Sequence, residues 1–199
     1  GAYFELYFAE KFPSTSIFAV EEFSAFPRLF FGTFTKPFAS GLKVGYAICD
    51  HPELLAKMVS IKGHHDFGSS NYAQAIIEQV IGEGAYDLQL KKGRQGYYDK
   101  MGVLHNALIQ ENLPDLGWHW LKPGGGMFLW LRGPVEADTS PGNAFFENAV
   151  KEGVLYVPGD LCFAPGGPKN YMRLSFGVLS HADLVEAGKR LARVIRQFN

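Results

Sequence analysis

A short loop between two apolar segments carries side chains that can bind a phosphate group. Thr33-Phe34-Thr35-Lys36 is followed by Gly41 and Lys43, so two hydroxyl groups and two ammonium groups lie close together in the chain. Both kinds of group donate hydrogen bonds to phosphate oxygens, and glycine lets the backbone approach a ligand closely. A lysine at such a position can also act as a nucleophilic amine. The alternative is that Lys36 and Lys43 are solvated loop lysines, and residue type alone favours this simpler interpretation.

Arg173 is a charged residue within an otherwise apolar segment. It lies in Asn170-Tyr171-Met172-Arg173-Leu174-Ser175-Phe176, whose pattern predicts a strand. Arginine at such a position is seldom unpaired, because removing its charge from water is unfavourable unless an acceptor is supplied. Either a carboxylate of the protein or the carboxylate of a ligand would supply that acceptor, through two parallel hydrogen bonds. The residues themselves leave both possibilities open.

The remaining polar side chains give weaker signals. Tyr3 could hold a ligand through its phenol, although packing in a core is the commoner role of a tyrosine. His64-His65-Asp66 lacks the spacing of a metal-ligand cluster, so we predict no metal site. The sequence contains no Gly-x-Ser-x-Gly elbow, no Walker loop and no dinucleotide-binding fingerprint, so it does not indicate the chemistry that those motifs support.

The first half of the chain supplies the elements that must position the loop. Apolar runs predict strands over 28–34 and 44–49, one on either side of it. The periodicity that follows predicts helices over 51–62, 70–82 and 85–112. Ser69 or Ser70 is the expected N-cap of the second helix.

From Trp118 onward the pattern predicts a compact α+β unit. Short strands are expected over 118–121, 127–131, 154–157 and 171–176, the first two as an antiparallel pair around a glycine turn. A helix is expected to end at Gly153. Ser180, with Asp183 three residues later, resembles a capping box and predicts the start of the last helix.

Composition places the chain among globular proteins. The 199 residues are 47% hydrophobic and 15% aromatic, and 19 basic side chains nearly balance 20 acidic ones. A net charge of −1 gives no electrostatic reason to expect nucleic acid or an anionic membrane as a partner. No run of about 18 apolar residues is present, and Cys49 and Cys162 do not make a disulfide framework. We therefore expect a cytoplasmic protein without nucleic-acid or membrane partners.

The candidate residues belong to a longer series of motifs. The series begins with Ala2-Tyr3 and continues with Thr33-Phe34-Thr35-Lys36 and Gly41-Leu42-Lys43-Val44-Gly45-Tyr46. It ends with Pro123-Gly124-Gly125-Gly126-Met127-Phe128, followed by the segments 154–159 and 170–176. In this order the motifs resemble the C-terminal half of the class I and II aminotransferases, the pyridoxal-phosphate enzymes of fold type I. Each motif is weak alone, whereas the whole series in register is specific.

The resemblance implies a role for each candidate residue. Lys36 would form a Schiff base with pyridoxal 5′-phosphate and, once displaced by the substrate amine, would move the proton between the α-carbon and the cofactor. Tyr3 would hydrogen-bond the phenolic oxygen of the cofactor. Arg173 would bind the α-carboxylate of the substrate and would face the same cleft as Lys36. The cofactor's phosphate would be held by three donors of the loop, Thr33, Thr35 and Lys43.

The implied activity is transfer of an amino group from an L-amino acid to a 2-oxo acid. Lys43 departs from the family pattern, because arginine usually stands there and lysine lacks its planar fork. The family's aspartate partner of the pyridinium nitrogen would precede residue 1, and the half before it, with its glycine-rich phosphate turn, would precede residue 1 as well. We therefore expect the chain to belong to a protein of about twice its length and to be inactive as a transaminase by itself.

The resemblance also implies an α/β fold in two parts. Residues 1–99 would be the C-terminal part of the large domain, with the remaining strands of a mostly parallel sheet and its helices. Residues 100–199 would be the small C-terminal α+β domain. Enzymes of this fold type are dimers, so the longer protein is expected to form a homodimer.

Two alternatives to a transaminase remain open. The first is an aminotransferase-like effector-sensing domain of a winged-helix transcription regulator, which would keep the lysine without turnover. The second is a chain that binds no cofactor. The same residues also serve lyases, decarboxylases and acyl transferases, and the expected clamp at Arg173 favours transamination among them.

Overall fold

The structure is a computed structural model that describes residues 3–8, 18 and 20–198. The chain divides into two compact units, 1–95 and 96–199. Five helices and five strands are named below in chain order, within those described ranges. None of the helices described is both long enough and apolar enough to cross a membrane.

The first unit contains a two-stranded antiparallel sheet followed by helices. Strand β1 (Leu29–Thr33) pairs with β2 (Gly45–Cys49), with Leu29 opposite Cys49 and Thr33 opposite Gly45. Three helices follow, and the third of them continues into the second unit: α1 (Pro52–Asp66), α2 (Asn71–Gly82) and α3 (Ala85–Gln110).

The mostly parallel sheet expected for this part is not seen among the described residues. The link between β1 and β2 is the loop 34–44, which turns back on itself and contains no crossover helix. Parallel strands need such a crossover, whereas antiparallel strands can be joined directly, so the short link fixes the direction of β2. The strands are also less buried than parallel strands usually are, since Phe31 is 59% exposed and Ile48 is 51% exposed.

Side-chain caps explain where two of these helices begin. Nδ1 of His51 accepts the N–H of Leu54, and Pro52 occupies the first turn of α1, where a missing N–H does no harm. The hydroxyl of Ser70 accepts the N–H of Ala73, which confirms the predicted N-cap of α2. Helix α1 extends to Asp66, farther than the sequence predicts.

The second unit is built around a three-stranded antiparallel sheet. Strands β3 (Phe128–Arg132), β4 (Val157–Pro158) and β5 (Tyr171–Ser175) lie in the order β3-β5-β4. Helices α4 (Ala144–Lys151) and α5 (His181–Gln197) complete the unit. The hydroxyl of Ser180 accepts the N–H of Asp183, as the capping pattern predicts.

Two predicted strands of this unit are shorter than expected. The pairing of 118–121 with 127–131 is reduced to a single bridge between His119 and Arg132. Proline and consecutive glycines at 123–126 do not support a continuous ladder, and β3 instead pairs along its whole length with β5. Residues 154–156 do not belong to β4. Val154 and Tyr156 are buried in the core, and this burial rather than strand pairing explains why the segment is apolar.

The two faces of the three-stranded sheet have different environments. Alternate side chains along β3 and β5 point to opposite faces. One face is buried: it carries Leu129, Leu131, Met172 and Leu174. The other face is only half-buried or exposed, and it carries Phe128, Trp130, Tyr171 and Arg173. The alternation that buries Met172 and Leu174 therefore places Arg173 on the open face.

We expect Leu191→Ala to lower the free energy of unfolding of the second unit by about 2–5 kcal/mol, because it leaves a cavity under α5. Leu191 is 1% exposed, whereas Leu121, which is 91% exposed, provides a matched control. Leu121→Ala should change the same quantity by less than about 0.5 kcal/mol. The measurement is urea unfolding followed by tryptophan fluorescence, since Trp118, Trp120 and Trp130 all lie in this unit. Equal effects of the two substitutions would contradict the packing of α5.

Candidate functional site

The loop 34–44 is closed at its base by hydrogen bonds to one carbonyl group. The hydroxyl of Thr33 donates to the carbonyl oxygen of Val44 at 3.2 Å, and the N–H of Phe34 donates to the same oxygen at 3.0 Å. The Thr33 oxygen also accepts the N–H of Thr35 at 3.1 Å. The hydroxyl proton of Thr33 is therefore engaged within the loop, and a phosphate could receive it only after this group rotates.

Lys36 lies at the outer turn of this loop, with an exposed side chain. The N–H groups of Phe38 and Ala39 both donate to the carbonyl oxygen of Phe34 at 3.1 Å, so the backbone around Lys36 is fixed. Pro37, the next residue, is buried and anchors the turn. Within the described ranges, the Lys36 amine has no hydrogen-bond or ion-pair partner.

The other two predicted phosphate donors lie on the same loop. Thr35 is half-buried, and its hydroxyl makes no hydrogen bond to the described part of the chain. Lys43 is exposed and has a φ of 54°, in the left-handed region that residues other than glycine seldom adopt. Strained backbone of this kind is often found at ligand-binding positions. The loop thus presents one hydroxyl and two ammonium groups without partners among the described residues.

Aromatic packing supports the loop from inside the first unit. The ring of Tyr46 lies over Gly32, where an added Cβ atom would come within 2.2 Å of the tyrosine Cζ atom. Phe34 packs against Tyr46 with the ring centroids 5.1 Å apart and meets Tyr86 edge-on at 5.7 Å. Burial raises the pKa of Tyr86, whose hydroxyl donates to Glu5 Oε2 at 2.6 Å. The hydroxyl of Tyr86 is therefore engaged with Glu5, and its ring supports the loop.

Tyr3 lies in the same unit, on a segment that α3 holds in place. Its carbonyl oxygen accepts the N–H of Leu6, which is almost fully buried. The guanidinium of Arg94 donates to the carbonyl oxygen of Glu5 at 2.7 Å and lies 3.8 Å from the centre of the Tyr7 ring. Tyr3 itself is 36% exposed. Ala2, the first residue of this predicted motif, lies outside the described residues.

Arg173 lies in the second unit, on the open face of the sheet. Its guanidinium is 4.3 Å from the centre of the Phe128 ring, and its Nε atom is buried without a hydrogen-bond partner. No carboxylate of residues 3–8, 18 and 20–198 forms an ion pair with it. Of the two acceptors that the sequence left open, a protein carboxylate is therefore not found in the described structure.

A depression of about 420 Å³ lies beside the guanidinium. Among the described residues that line it, Arg173 is the charged one, and Ser175 is a polar neighbour. The remaining lining is largely apolar and includes Phe128, Phe146, Leu155, Val157 and Leu161. The arrangement suits a ligand that has a carboxylate at one end and apolar atoms beside it.

Phe128 is a residue whose contact with Arg173 the sequence does not reveal. In the sequence it is an ordinary strand residue after a glycine turn. The contact depends on the register that places Phe128 opposite Ser175 and Trp130 opposite Arg173. The alternation of side chains along a strand indicates which face of the sheet each one occupies. It does not indicate that β5 is the strand that pairs with β3.

Comparison with known proteins decides the family. A sequence profile described as "Aminotransferase class I and II" matches residues 1–191. The chain belongs to this family. Among curated proteins, it is 32% identical over 197 residues to the 2-aminoadipate transaminase of Thermus thermophilus. The match covers 98% of the chain and 47% of that relative, so the chain spans about half the length of the relative.

Two solved structures of aminotransferases agree with this assignment. The α-aminoadipate aminotransferase LysN of Thermus thermophilus, complexed with N-(5′-phosphopyridoxyl)-L-leucine, superposes with a TM-score of 0.88 at 32% identity. That match covers 99% of this chain and 49% of LysN. The kynurenine aminotransferase of Pyrococcus horikoshii, in complex with PMP, gives a TM-score of 0.85 at 30% identity over 99% and 46% of the two chains.

A transcription regulator is also similar to part of the chain. The HTH-type transcriptional regulator NorG of Staphylococcus aureus is 26% identical over 155 residues, which are 78% of this chain and 33% of NorG. This likeness is weaker than the likeness to the transaminases.

The residues of the loop 34–44 fit pyridoxal phosphate. The aldehyde of pyridoxal phosphate is bound covalently by an accessible amine, and Lys36 provides such an amine on a hydrogen-bonded turn. A phosphate needs hydrogen-bond donors and positive charge, which Thr35 and Lys43 provide.

No group of three or more potential metal ligands occurs in the described ranges.

We expect Thr33→Val to open the base of the loop, because valine can neither donate to Val44 nor accept from Thr35. Loss of one such hydrogen bond should raise the hydrogen-exchange rate of the Thr35 amide by about 3- to 10-fold. Thr33→Ser keeps the hydroxyl and should leave that rate close to the wild-type value. Equal exchange in the valine and serine variants, measured by NMR, would show that the hydroxyl does not close the loop.

Proposed function

We propose that this chain supplies the cofactor-binding lysine and the carboxylate-binding arginine of a pyridoxal-phosphate-dependent aminotransferase. The reaction would transfer an amino group from an L-amino acid to a 2-oxo acid. The observation that carries the proposal is the amine of Lys36, exposed and without a described partner, on a hydrogen-bonded turn of a chain that belongs to this family. Because the chain spans about half of its relatives, we assign turnover to a protein of their length.

Lys36 would have two tasks in this reaction. When bound, pyridoxal phosphate supplies an electron sink that stabilises negative charge at the substrate α-carbon. The Lys36 amine would anchor the cofactor through its aldehyde and, once released by the substrate, would accept the proton of the α-carbon at Nζ. The fixed backbone around Lys36 supports both tasks, because proton transfer requires the amine to stay within hydrogen-bonding distance.

The loop donors would hold the cofactor in place. The hydroxyl of Thr35 and the ammonium group of Lys43 are the donors available for a phosphate, whereas Thr33 closes the loop. Lysine provides a point charge without the paired donors of arginine, so Lys43 would neutralise the phosphate more than orient it. Tyr3, on its anchored segment, would donate a hydrogen bond to the phenolic oxygen of the cofactor.

Arg173 would hold the substrate by its α-carboxylate. A guanidinium forms two parallel hydrogen bonds to a carboxylate, which fixes the orientation of the α-carbon as well as its position. That orientation decides which bond at the α-carbon is broken, so a fixed clamp favours loss of the proton over loss of the carboxylate. The absence of a paired carboxylate among the described residues keeps Arg173 available for this contact.

Reductive labelling tests the role of Lys36. The full chain is mixed with one equivalent of pyridoxal 5′-phosphate, reduced with borohydride, digested and mapped by mass spectrometry. We expect the phosphopyridoxyl group mainly on Lys36, because the loop holds the phosphate while the aldehyde reacts. Lys36→Arg should remove most of the label, whereas Lys57→Arg, at an exposed lysine of α1, should leave it unchanged. Label spread evenly over surface lysines would overturn the assignment.

A sensing role in a transcription regulator is the second candidate. The likeness to NorG supports it, and the same lysine and arginine would then bind ligands without transferring an amino group. The two functions differ in turnover. A protein of full length that converts an amino acid and a 2-oxo acid into the exchanged pair is a transaminase, whereas one that binds them without conversion is a sensor.

A further inference from the structure

We propose that His105 and Trp120 form a pH-sensitive contact, which holds the segment 120–122 against helix α3 at neutral pH and releases it in mild acid. Both residues lie in the second unit, His105 on α3 and Trp120 on the stretch that leads toward β3. The inference goes beyond the proposed function, because neither residue belongs to the loop 34–44 or lines the depression beside Arg173.

The contact is one hydrogen bond between two aromatic side chains. The indole Nε1–H of Trp120 donates to Nδ1 of His105 at 3.0 Å. The two rings meet edge-on, with their centroids 5.9 Å apart and their planes at 79°. A ring nitrogen that accepts a hydrogen bond carries no proton, so this arrangement requires a neutral imidazole. Protonation of Nδ1 turns the acceptor into a donor, and two N–H groups then face each other.

The surroundings of His105 favour its neutral form. Burial lowers the pKa of His105 below the ordinary histidine value of 6.5, and the positive charge of Lys122 lowers it further. Lys122 follows Trp120 by two residues, so the same segment supplies the hydrogen-bond donor and the charge. His119, the other titratable residue beside Trp120, pairs through its backbone with Arg132. The residues one turn away from His105 along α3 are uncharged: Met101, Gly102, Leu108 and Ile109.

Other contacts fix the start of the segment at any pH. Trp118 is 1% exposed, and its N–H donates to the carbonyl oxygen of Leu113 at 3.0 Å. His119 and Arg132 exchange two backbone hydrogen bonds, of 2.9 and 2.8 Å. Backbone amides do not titrate in this range, so these bonds persist when His105 gains a proton. We therefore expect the chain to stay attached at Trp118 and His119 and to loosen from Trp120 onward.

The lowered pKa of His105 fixes the sign of the pH dependence. Because native His105 binds a proton less readily than unfolded His105 does, the unfolded chain binds more protons in the window below pH 6.5. Stability therefore rises with pH across that window. The contribution of the contact is complete above the unfolded pKa and is lost as the pH falls through the native pKa.

NMR titration of the full chain, downward from about pH 8, tests the contact. The indole signal of Trp120 is assigned by its absence in Trp120→Phe. We expect this signal and the ring signals of His105 to move with one midpoint, below pH 6.5. Below that midpoint, the Trp120 indole N–H should exchange with solvent about 3- to 10-fold faster than in His105→Gln, because the glutamine oxygen accepts the same bond and does not titrate.

The charge of Lys122 provides a second test, at an exposed position where substitution disturbs little. Lys122→Gln should move the common midpoint to higher pH, because it removes a positive charge that disfavours the imidazolium. Lys151→Gln, at an exposed lysine of α4, should leave the midpoint unchanged. The indole signal of the buried Trp118 shows whether each variant is folded. If His105→Gln does not fold, the two lysine variants still test the contact.

Two outcomes overturn the proposal: a Trp120 signal that stays constant while His105 titrates, or one that keeps its pH dependence in folded His105→Gln protein. An unchanged midpoint in Lys122→Gln would overturn the role assigned to that charge. Labelling of Lys36 by pyridoxal phosphate is independent of all three results, so failure of this inference is distinct from failure of the proposed function.

Discussion

The carbonyl oxygen of Val44 accepts hydrogen bonds from both the Thr33 hydroxyl and the Phe34 N–H, and this closure fixes the loop that carries Lys36. The chain reverses direction within the loop, so β2 must run antiparallel to β1. Ordering a loop on folding costs conformational entropy. The backbone hydrogen bonds of this loop and the burial of Pro37 offset that entropic cost. The result is an exposed amine on a hydrogen-bonded turn.

In the second unit, the position of Arg173 follows from the two faces of the three-stranded sheet. One face of its sheet is buried, and the alternation of side chains leaves Arg173 on the other face, over the ring of Phe128. An arginine without a protein carboxylate in the described ranges is unfavourable unless solvent or a ligand satisfies it. The same constraint that forms the core therefore presents a cation suited to a carboxylate. In the proposed function, lysine and arginine would serve different chemistry, Lys36 as a nucleophile and Arg173 as a clamp.

Features set by local sequence were predictable, whereas features set by pairing at long range were not. The caps at Ser70 and Ser180 follow from short-range hydrogen bonds: the sequence predicts Ser180 and leaves a choice between Ser69 and Ser70, and the structure shows Ser70. Periodicity indicated the strands but not their partners, so the antiparallel direction of β2 and the contact of Phe128 with Arg173 appear only in the structure. The candidate residues came from motif order and residue chemistry. The engagement of the Thr33 hydroxyl required coordinates, because hydroxyl orientation depends on the fold around it.

The most direct test of Lys36 as the cofactor lysine is a crystal structure of the chain grown with pyridoxal 5′-phosphate. We predict continuous electron density from the Nζ atom of Lys36 to the aldehyde carbon of the cofactor, with the phosphate within hydrogen-bonding distance of Thr35 and Lys43. The central claim would be contradicted by a cofactor bound at full occupancy to another lysine while no cofactor is bound at the loop 34–44.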